Sequence, residues 1–114
     1  MGFIIEKSLA ATVAAAAFLI QLPAHAADDA AAEALARKEN CLKCHGVDKD
    51  KEGPSYKRVA NKYRDKPGAE EKLYKHLTTG PMVKLASGDK EEHRVMQTRD
   101  EEAIKNLLQW ILSR

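Results

Sequence analysis

One short motif, Cys41-Leu42-Lys43-Cys44-His45, restricts what this chain can fold into more than any other feature. The chain has no other cysteine, so a zinc site built on this pair would need two further ligands at matching spacing. A thioredoxin-like redox pair lies at the strand-to-helix junction of a βαβ unit, and the chain carries no such pattern. The interpretation of the motif therefore depends on the histidine that follows the second cysteine.

The residue types of the motif fit the covalent attachment of one heme. Two cysteines three positions apart can each add to one vinyl group, and the following histidine then lies under the iron as an axial ligand. We therefore predict that Cys41 and Cys44 hold heme c and that His45 binds its iron. A disulfide between the cysteines, or an adventitious metal pair, is the alternative interpretation.

Residues 1–26 have the pattern of a secretory signal peptide. A charged head with Lys7 precedes an apolar run over residues 9–20, and the small-x-small triplet Ala24-His25-Ala26 follows. The apolar run is shorter than the ~20 residues that cross a bilayer. We therefore expect cleavage after Ala26, export to the periplasm, no stable membrane insertion, and one domain over residues 27–114.

The predicted mature chain is short of large apolar side chains. Both phenylalanines, Phe3 and Phe18, lie in the predicted signal peptide, so three tyrosines and one tryptophan are the remaining aromatic residues. Domains below about 100 residues often need a disulfide, a metal or a cofactor to fold stably. A heme would supply the missing apolar bulk. The net charge of +2 excludes a strongly basic nucleic-acid binder.

Residue patterns predict three helices before a long connection. Residues 28–39 are rich in alanine, and acidic residues at their start and basic residues near their end complement the helix dipole. Residues 55–64 have apolar positions at helical spacing and begin with Ser55, a residue that caps helices well. A third helix is predicted from Ala69 to about Thr79, between two Gly/Pro pairs.

The last predicted helix begins with a capping box formed by Thr98 and Glu101. Its apolar stripe consists of Ile104, Leu107, Leu108, Ile111 and Leu112, with Trp110 at the edge. Before this helix lie seventeen residues, 81–97, without a helical pattern, and so long a connection in a small domain is usually functional. The turn-like segment 87–90 within it predicts a short β-hairpin over residues 82–97.

Together these features resemble a small class I cytochrome c of the bacterial type. The resemblance implies an all-α fold of about four helices around one covalent heme, and it covers the whole predicted mature chain. It implies that the carbonyl of Pro54, in the pair Gly53-Pro54, bonds the second ring nitrogen of His45 and fixes its tautomer. It also implies that the first and last helices cross, and the first would contribute Ala31, Ala34 and Leu35.

The sixth iron ligand is where the sequence departs from that family. Class I cytochromes usually place a methionine in a proline-rich loop before the last helix, but no Met-Pro-Pro occurs here. The candidates are Met82, His93 and Met96. His93 lies five residues before Thr98 and seventeen before Trp110, which matches the family's spacing. Spacing therefore favours His93, whereas the family's residue type favours Met96.

An extended second strand in the hairpin would also favour the histidine. His93 and Val95 would then share one face, and Met96 would point away from it. Val83 and Leu85 alternate in the same way and would complete an apolar wall beside the heme. The sequence therefore predicts a heme iron between two histidines.

These interpretations predict a one-electron carrier rather than an enzyme. Ligation by His45 and His93 would give a lower reduction potential than a histidine and methionine pair, with Met96 and then Met82 as the alternatives to His93. We expect a monomer that exchanges electrons with redox partner proteins. His76 is expected to be an ordinary surface or core residue. The alternative function is a heme-based sensor or small-ligand-binding protein with a labile sixth ligand.

Overall fold

The computed structural model describes residues 2–3, 11–18 and 27–114. Most of the predicted signal peptide, and its cleavage site after Ala26, lie outside the described residues. Within the described ranges, no helix combines the length and the apolar character that a membrane span requires. The fold that positions the site is formed by residues 27–114.

Four α-helices and one two-stranded antiparallel sheet follow one another along residues 27–114. The helices are α1 (Asp29–Lys38), α2 (Tyr56–Tyr63), α3 (Ala69–Thr79) and α4 (Glu101–Leu112). A short 3₁₀ helix covers Cys41–Lys43, and the strands are β1 (Met82–Lys84) and β2 (Lys90–Glu92). In the sheet, Val83 lies opposite Glu91. The four predicted helices and the short hairpin are thus confirmed.

The first two helices begin as the sequence predicts. The Asp28 carboxylate accepts a hydrogen bond from the Ala31 amide at 3.0 Å, which caps α1. The Ser55 hydroxyl accepts one from the Arg58 amide at 3.1 Å, which caps α2. Each cap satisfies an amide that has no partner inside its helix.

The predicted capping box of the last helix is wrong. Asp100 caps α4, and its carboxylate accepts a hydrogen bond from the Ala103 amide at 3.1 Å. The Thr98 hydroxyl instead accepts one from the amide of Asp100 at 3.2 Å. The helix begins at Glu101, two residues later than a cap at Thr98 requires, because the chain before it is held by other contacts.

The core lies where α1 packs against α4. Ala32 and Ala36 are each 0% exposed, and their small side chains let the two helices approach closely. The prediction named Ala31 and Ala34 instead, but both are exposed because they lie on the other side of α1. Leu35 packs against the core as predicted. The α4 residues buried in this cluster are Ile104, Leu107, Leu108, Trp110 and Ile111.

Trp110 is a core residue and not the edge residue that the apolar stripe predicts. It is 1% exposed, and its ring meets the Tyr56 ring edge-on at 5.6 Å between centroids. Tyr56 comes from α2, and α1 and α3 also pack against α4, so α4 is covered on several sides and its buried stripe is wider. The start of α1 is fixed to the same helix, since the Asn106 side chain exchanges two hydrogen bonds with the Asp28 backbone at 2.8 and 2.9 Å.

The hairpin forms, but its second strand is shorter than predicted. Strand β2 ends at Glu92, and residues 93–97 carry no strand. The His93 amide donates to the Pro81 carbonyl at 2.8 Å, in register with the hairpin, but Pro81 has no amide hydrogen to continue the ladder. The Met96 amide instead donates to the Leu77 carbonyl in α3 at 2.9 Å. The predicted alternation therefore fails, since Met96 is 8% exposed whereas Val95 is 47% exposed.

Candidate functional site

A cavity of about 1040 Å³ opens between α2, α3, α4, the hairpin and the cysteine motif. Of the predicted site residues, Cys41, Cys44, His45, Pro54, His93 and Met96 line it. Its apolar walls include Val59, Leu73, Leu77, Val83, Leu85, Leu107, Leu108 and Ile111. Sites for small organic ligands commonly measure about 300–1,000 Å³, so this cavity has room for a large flat group such as a porphyrin. The predicted wall of Val83 and Leu85 is present.

The cysteine motif forms a tight turn at the end of α1. Asn40 has a left-handed backbone with φ of 59°, which ends the helix and starts the 3₁₀ turn. The amides of Cys44 and His45 both donate to the carbonyl of Cys41, at 3.2 and 3.0 Å. Both thiols are free, and burial raises the pKa of the Cys41 thiol. No disulfide closes this pair of cysteines, so both sulfur atoms remain available at the cavity.

Three neighbours fix the ring of His45. Its Nδ1 lies 2.6 Å from the Pro54 carbonyl oxygen, which can only accept, so Nδ1 carries the proton. The Tyr56 ring stacks on the imidazole at 5.3 Å with 18° between the planes. Gly53 is so close that a Cβ there would lie 2.7 Å from His45 Cε1. These contacts leave Nε2 as the nitrogen that can bind a metal.

Burial gives the His45 ring the charge state that a metal needs. Removal from water lowers the pKa of the imidazole, and the hydrogen bond to the Pro54 carbonyl partly opposes this effect. The neutral ring with a proton on Nδ1 is the form in which Nε2 has a free electron pair. The observed geometry is thus compatible with the predicted roles, in which His45 binds the iron and Pro54 orients the His45 ring.

Residues 44–58, here called the proximal loop, are held by hydrogen bonds within the loop itself. The amides of Tyr56 and Lys57 donate to the carbonyls of Gly46 and Val47 at 2.9 and 3.0 Å. Asp50 accepts from the Ser55 amide at 2.7 Å and from the Arg58 guanidinium at 2.8 Å. The amide of Ser55 and the guanidinium of Arg58 lower the pKa of the Asp50 carboxyl.

His93 shares the cavity with His45, and the two ring centroids lie 6.1 Å apart. Its Nδ1 lies 2.9 Å from the Arg94 carbonyl oxygen, so here too Nδ1 donates and Nε2 is left for a metal. Metal–imidazole bonds are about 2 Å long, so two imidazoles on opposite sides of one metal have ring centres about 6 Å apart. The separation of the two rings therefore fits one iron between them.

His76 is a site residue that the sequence prediction set aside. It lines the cavity, and its ring centroid lies 4.3 Å from that of His93. Burial lowers the pKa of its imidazole, and the nearby His93 and His45 lower it further. Its position three residues after Leu73 and one before Leu77 places it on the cavity face of α3. That spacing was the signal that could have identified it.

The two methionine candidates differ in their surroundings. Met96 lines the cavity and belongs to the same buried cluster as Trp110 and Leu107. Met82 is 60% exposed on strand β1 and is not among the cavity-lining residues. Of the three candidates for a sixth ligand, the structure thus brings His93 and Met96 to the site.

A buried carboxylate lies beside the segment that carries both of these candidates. Glu39 is 6% exposed, and its oxygens accept hydrogen bonds from the amides of Gln97 and Thr98 at 2.9 and 3.0 Å. Residues 93–98 are here called the distal segment. An acidic side chain at the carboxyl end of a helix opposes the helix dipole, and that irregularity is the one sequence signal for Glu39.

Known proteins resemble this chain along the region that forms the site. The family model described as "Cytochrome c" matches residues 30–114. Cytochrome c2 of Rhodocyclus tenuis is 37% identical over 82 residues, which cover 70% of this chain and 88% of that protein. Cytochrome c-551 of Pseudomonas aeruginosa is 32% identical over 89 residues, which cover 71% of this chain and 74% of that protein.

A solved structure agrees in three dimensions as well. The crystal structure of the class 1 cytochrome MtoD from Sideroxydans lithotrophicus ES-1 is similar to this fold with a TM-score of 0.75 and 56% sequence identity. The match covers 77% of this chain and 97% of that chain. The similarity therefore spans nearly the whole of that cytochrome.

Proposed function

We propose that this chain, which belongs to the cytochrome c family, is a periplasmic one-electron carrier whose heme iron lies between two histidines. It is a small class I cytochrome c with one covalently bound heme c and a role in carrying electrons between redox partners. The location, the two iron ligands, the monomeric state and the lack of enzymatic activity are our proposals. The signal-peptide pattern of residues 1–26, with cleavage after Ala26, supports export to the periplasm.

The proximal side of the proposed site consists of the motif and the residues that orient it. Cys41 and Cys44 would hold the heme through thioether bonds, and Nε2 of His45 would bind the iron. Pro54 and Tyr56 keep the His45 ring in one orientation, through the 2.6 Å hydrogen bond and the stacked ring. When bound, the heme supplies an iron that changes between its ferric and ferrous states.

The observation that carries the proposal is the pairing of His93 with His45. The centroid separation of 6.1 Å fits two imidazoles on one iron, and each ring donates its Nδ1 proton to a backbone carbonyl. Orientation of a ligand histidine by such a second hydrogen bond is a general feature of metal sites. The separation of the rings and the hydrogen bond at Nδ1 thus support His93 as the second ligand.

Two imidazole ligands would affect the reduction potential of the heme. A methionine thioether raises the reduction potential of a c-type heme, and replacing it by imidazole removes that effect. The protein would therefore donate electrons more readily than a histidine–methionine cytochrome. Because the hydrogen bonds described above fix both imidazole rings, little would rearrange as the iron changes its charge.

The visible spectrum of the holoprotein tests the ligand pair. A histidine–methionine pair gives ferric protein a weak charge-transfer band in the red, so we expect the wild type to lack this band. The variant His93→Ala should bind carbon monoxide in the ferrous state, because the iron would lose one ligand. The matched variant Met96→Leu, which keeps a buried apolar side chain, should keep the wild-type spectrum.

The opposite results would overturn the proposal. A red charge-transfer band in the wild type that disappears in Met96→Leu would identify Met96 as the ligand. Rapid binding of carbon monoxide by the wild-type ferrous protein would instead favour the alternative function, a sensor with a labile sixth ligand. Both measurements use the intact holoprotein at neutral pH.

A further inference from the structure

We propose that Glu39 is a positioning residue that fixes the distal segment relative to the heme-attachment turn. The inference rests on the proposed function in one respect, namely that the distal segment supplies an iron ligand. It holds whether that ligand is His93 or Met96, since both lie in the segment. Glu39 itself would not touch the iron.

The contact consists of one carboxylate and two consecutive amides. Glu39 Oε2 accepts from the Gln97 amide at 2.9 Å, and Oε1 accepts from the Thr98 amide at 3.0 Å. Both oxygens are used, so the side chain can neither slide nor rotate without losing a bond. At 6% exposure, the carboxylate has little access to water that could replace these partners.

Glu39 is close in sequence to the attachment point of the heme. It precedes Cys41 by two residues, and Asn40 between them holds the left-handed turn. A heme bonded to Cys41 is therefore separated from the Glu39 backbone by only a short stretch of chain. Through its carboxylate, the same short stretch of chain also determines where the distal segment lies.

The backbone hydrogen bonds of the rest of the distal segment lead to other parts of the fold, and its one further hydrogen bond to Glu39 is a long one, from the Arg94 guanidinium to the Glu39 carbonyl at 3.5 Å. The His93 amide donates to the Pro81 carbonyl at 2.8 Å, and the Met96 amide donates to the Leu77 carbonyl at 2.9 Å. Both acceptors belong to the end of α3 and the residue just after Gly80. Among the hydrogen bonds to amides of residues 93–98, the only side-chain acceptor found in the described part of the chain is Glu39.

A carboxylate suits this position better than a neutral acceptor. Hydrogen bonds to a charged acceptor are roughly twice as strong as those between neutral groups. Removing it would leave two adjacent amides without partners, and the carboxyl end of the distal segment would move to find water. The ligand in that segment would then leave the iron more often.

The test measures how fast carbon monoxide binds to the ferrous holoprotein, since the gas must wait for the sixth ligand to leave. Glu39→Ala should bind carbon monoxide about tenfold faster than the wild type, as expected for the loss of a charge-assisted hydrogen bond. Glu39→Gln should show a smaller increase, because its amide oxygen can still accept one of the two bonds.

Asp28→Ala is the matched control. Asp28 is also a carboxylate that accepts a backbone amide, but it caps the start of α1, far along the chain from the distal segment. We expect Asp28→Ala to lower the melting temperature and to leave the rate of carbon monoxide binding unchanged. The ferric spectrum and the reduction potential, measured on the same samples, should change in the Glu39 variants and stay constant in Asp28→Ala.

The proposal is wrong if Glu39→Ala binds carbon monoxide at the wild-type rate. It is also wrong if Asp28→Ala, at an equal loss of melting temperature, raises the rate by the same factor. Failure of His93 ligation would be seen separately, as a methionine charge-transfer band in the wild type. In that case the weakening of that band in Glu39→Ala would still support the role of Glu39, and an unchanged band would refute it.

Discussion

The proximal loop and the distal segment hold their histidines by contacts of very different range. His45 bonds to Pro54, which lies nine residues away in the chain. Glu39 bonds to Gln97 and Thr98 across 58 and 59 residues. A short loop closes at a small entropic cost, whereas a long-range contact depends on the rest of the fold being in place. The proximal site is therefore a local structure, and the distal site is a property of the whole domain.

The two sides also differ in how directly each histidine is held. A stacked ring, a glycine and a proline carbonyl restrain His45. The ring of His93 bonds only to the carbonyl of its own neighbour, Arg94, and touches His76. We therefore expect changes on the proximal side to affect heme retention and changes on the distal side to affect ligand exchange.

Loss of the heme should have the largest effect, because it removes the group that joins the two sides. We expect the double variant Cys41→Ser/Cys44→Ser, made without covalent heme, to be largely unfolded. Far-ultraviolet circular dichroism should show little helix, and heating should give no cooperative transition. A compact apoprotein with a cooperative melt would show that the apolar core of α1 and α4 suffices alone.

Gly53→Ala should break the proximal side. The added Cβ would lie 2.7 Å from His45 Cε1 and 3.0 Å from its Nδ1, so the ring or the backbone must move. Overpacking of this kind costs about 1–3 kcal/mol. Thermal unfolding should show the loss, and the heme spectrum should change. Gly88→Ala is the control for the spectrum: its left-handed φ of 95° costs stability through strain, but its Cβ would meet nothing within 4 Å, so it should keep the wild-type spectrum.

Gly80→Ala should disturb the distal side by a smaller amount. Its Cβ would lie 2.9 Å from the His93 carbonyl oxygen and 2.9 Å from Val95 Cγ2, at a left-handed φ of 65°. The backbone strain costs about 1 kcal/mol, and the contacts would shift the distal segment in addition. Ferrous Gly80→Ala should therefore bind carbon monoxide faster than the wild type.

Gly68→Ala distinguishes the effect of backbone strain at Gly80 from the effect of its contacts with the distal segment. Gly68 has a similar φ of 75° at the other end of α3, but no atom lies within 4 Å of its Cβ position. It should lose a similar amount of stability through strain and keep the wild-type rate of carbon monoxide binding. Equal rates in the two variants would mean that the distal segment does not depend on its contact with Gly80.

Asp50→Asn should have the smallest effect, a slight loss of stability near neutral pH that disappears in acid. Hydrogen bonds from Ser55 and Arg58 lower the pKa of Asp50 below its ordinary value of 3.8. The carboxylate therefore stabilises the fold above pH 3.8, and this contribution is lost as the pH falls through the folded-state pKa. The melting temperature of the wild type should drop more steeply with acid than that of Asp50→Asn, and Asp48→Asn should follow the wild type.

The proximal side could be predicted from the sequence because its chemistry is local. The spacing of Cys41, Cys44 and His45 predicts covalent heme c. The pair Gly53-Pro54, which orients His45, lies in the same loop. The capping of α2 by Ser55 is equally local and was predicted correctly, and Asp28, predicted only as an acidic residue at the start of α1, caps that helix by an equally local bond. In these cases the residues that interact are fewer than ten positions apart.

The errors arose where contacts reach across the molecule. The box at Thr98 failed because Glu39 already holds the amides of Gln97 and Thr98, so the helix starts later. The second strand ended early because Pro81, opposite His93, has no amide hydrogen for the ladder, and because the Met96 amide bonds to Leu77 in α3. Helical spacing marked His76 and an unfavourable charge at a helix end marked Glu39, but the partners of both residues, His93 and the amides of Gln97 and Thr98, lie far along the chain.

The acceptors that orient the two histidines are both backbone carbonyls, of Pro54 and of Arg94. A carbonyl oxygen of the main chain has no pKa in the range in which proteins fold, so neither partner can take up a proton when the iron accepts an electron. Many redox sites tie electron transfer to proton transfer through a carboxylate in this position. In the proposed site the direct partners of the two ligand rings cannot supply that coupling, which leaves His76, 4.3 Å from the His93 ring, as the titratable side chain nearest to that ring.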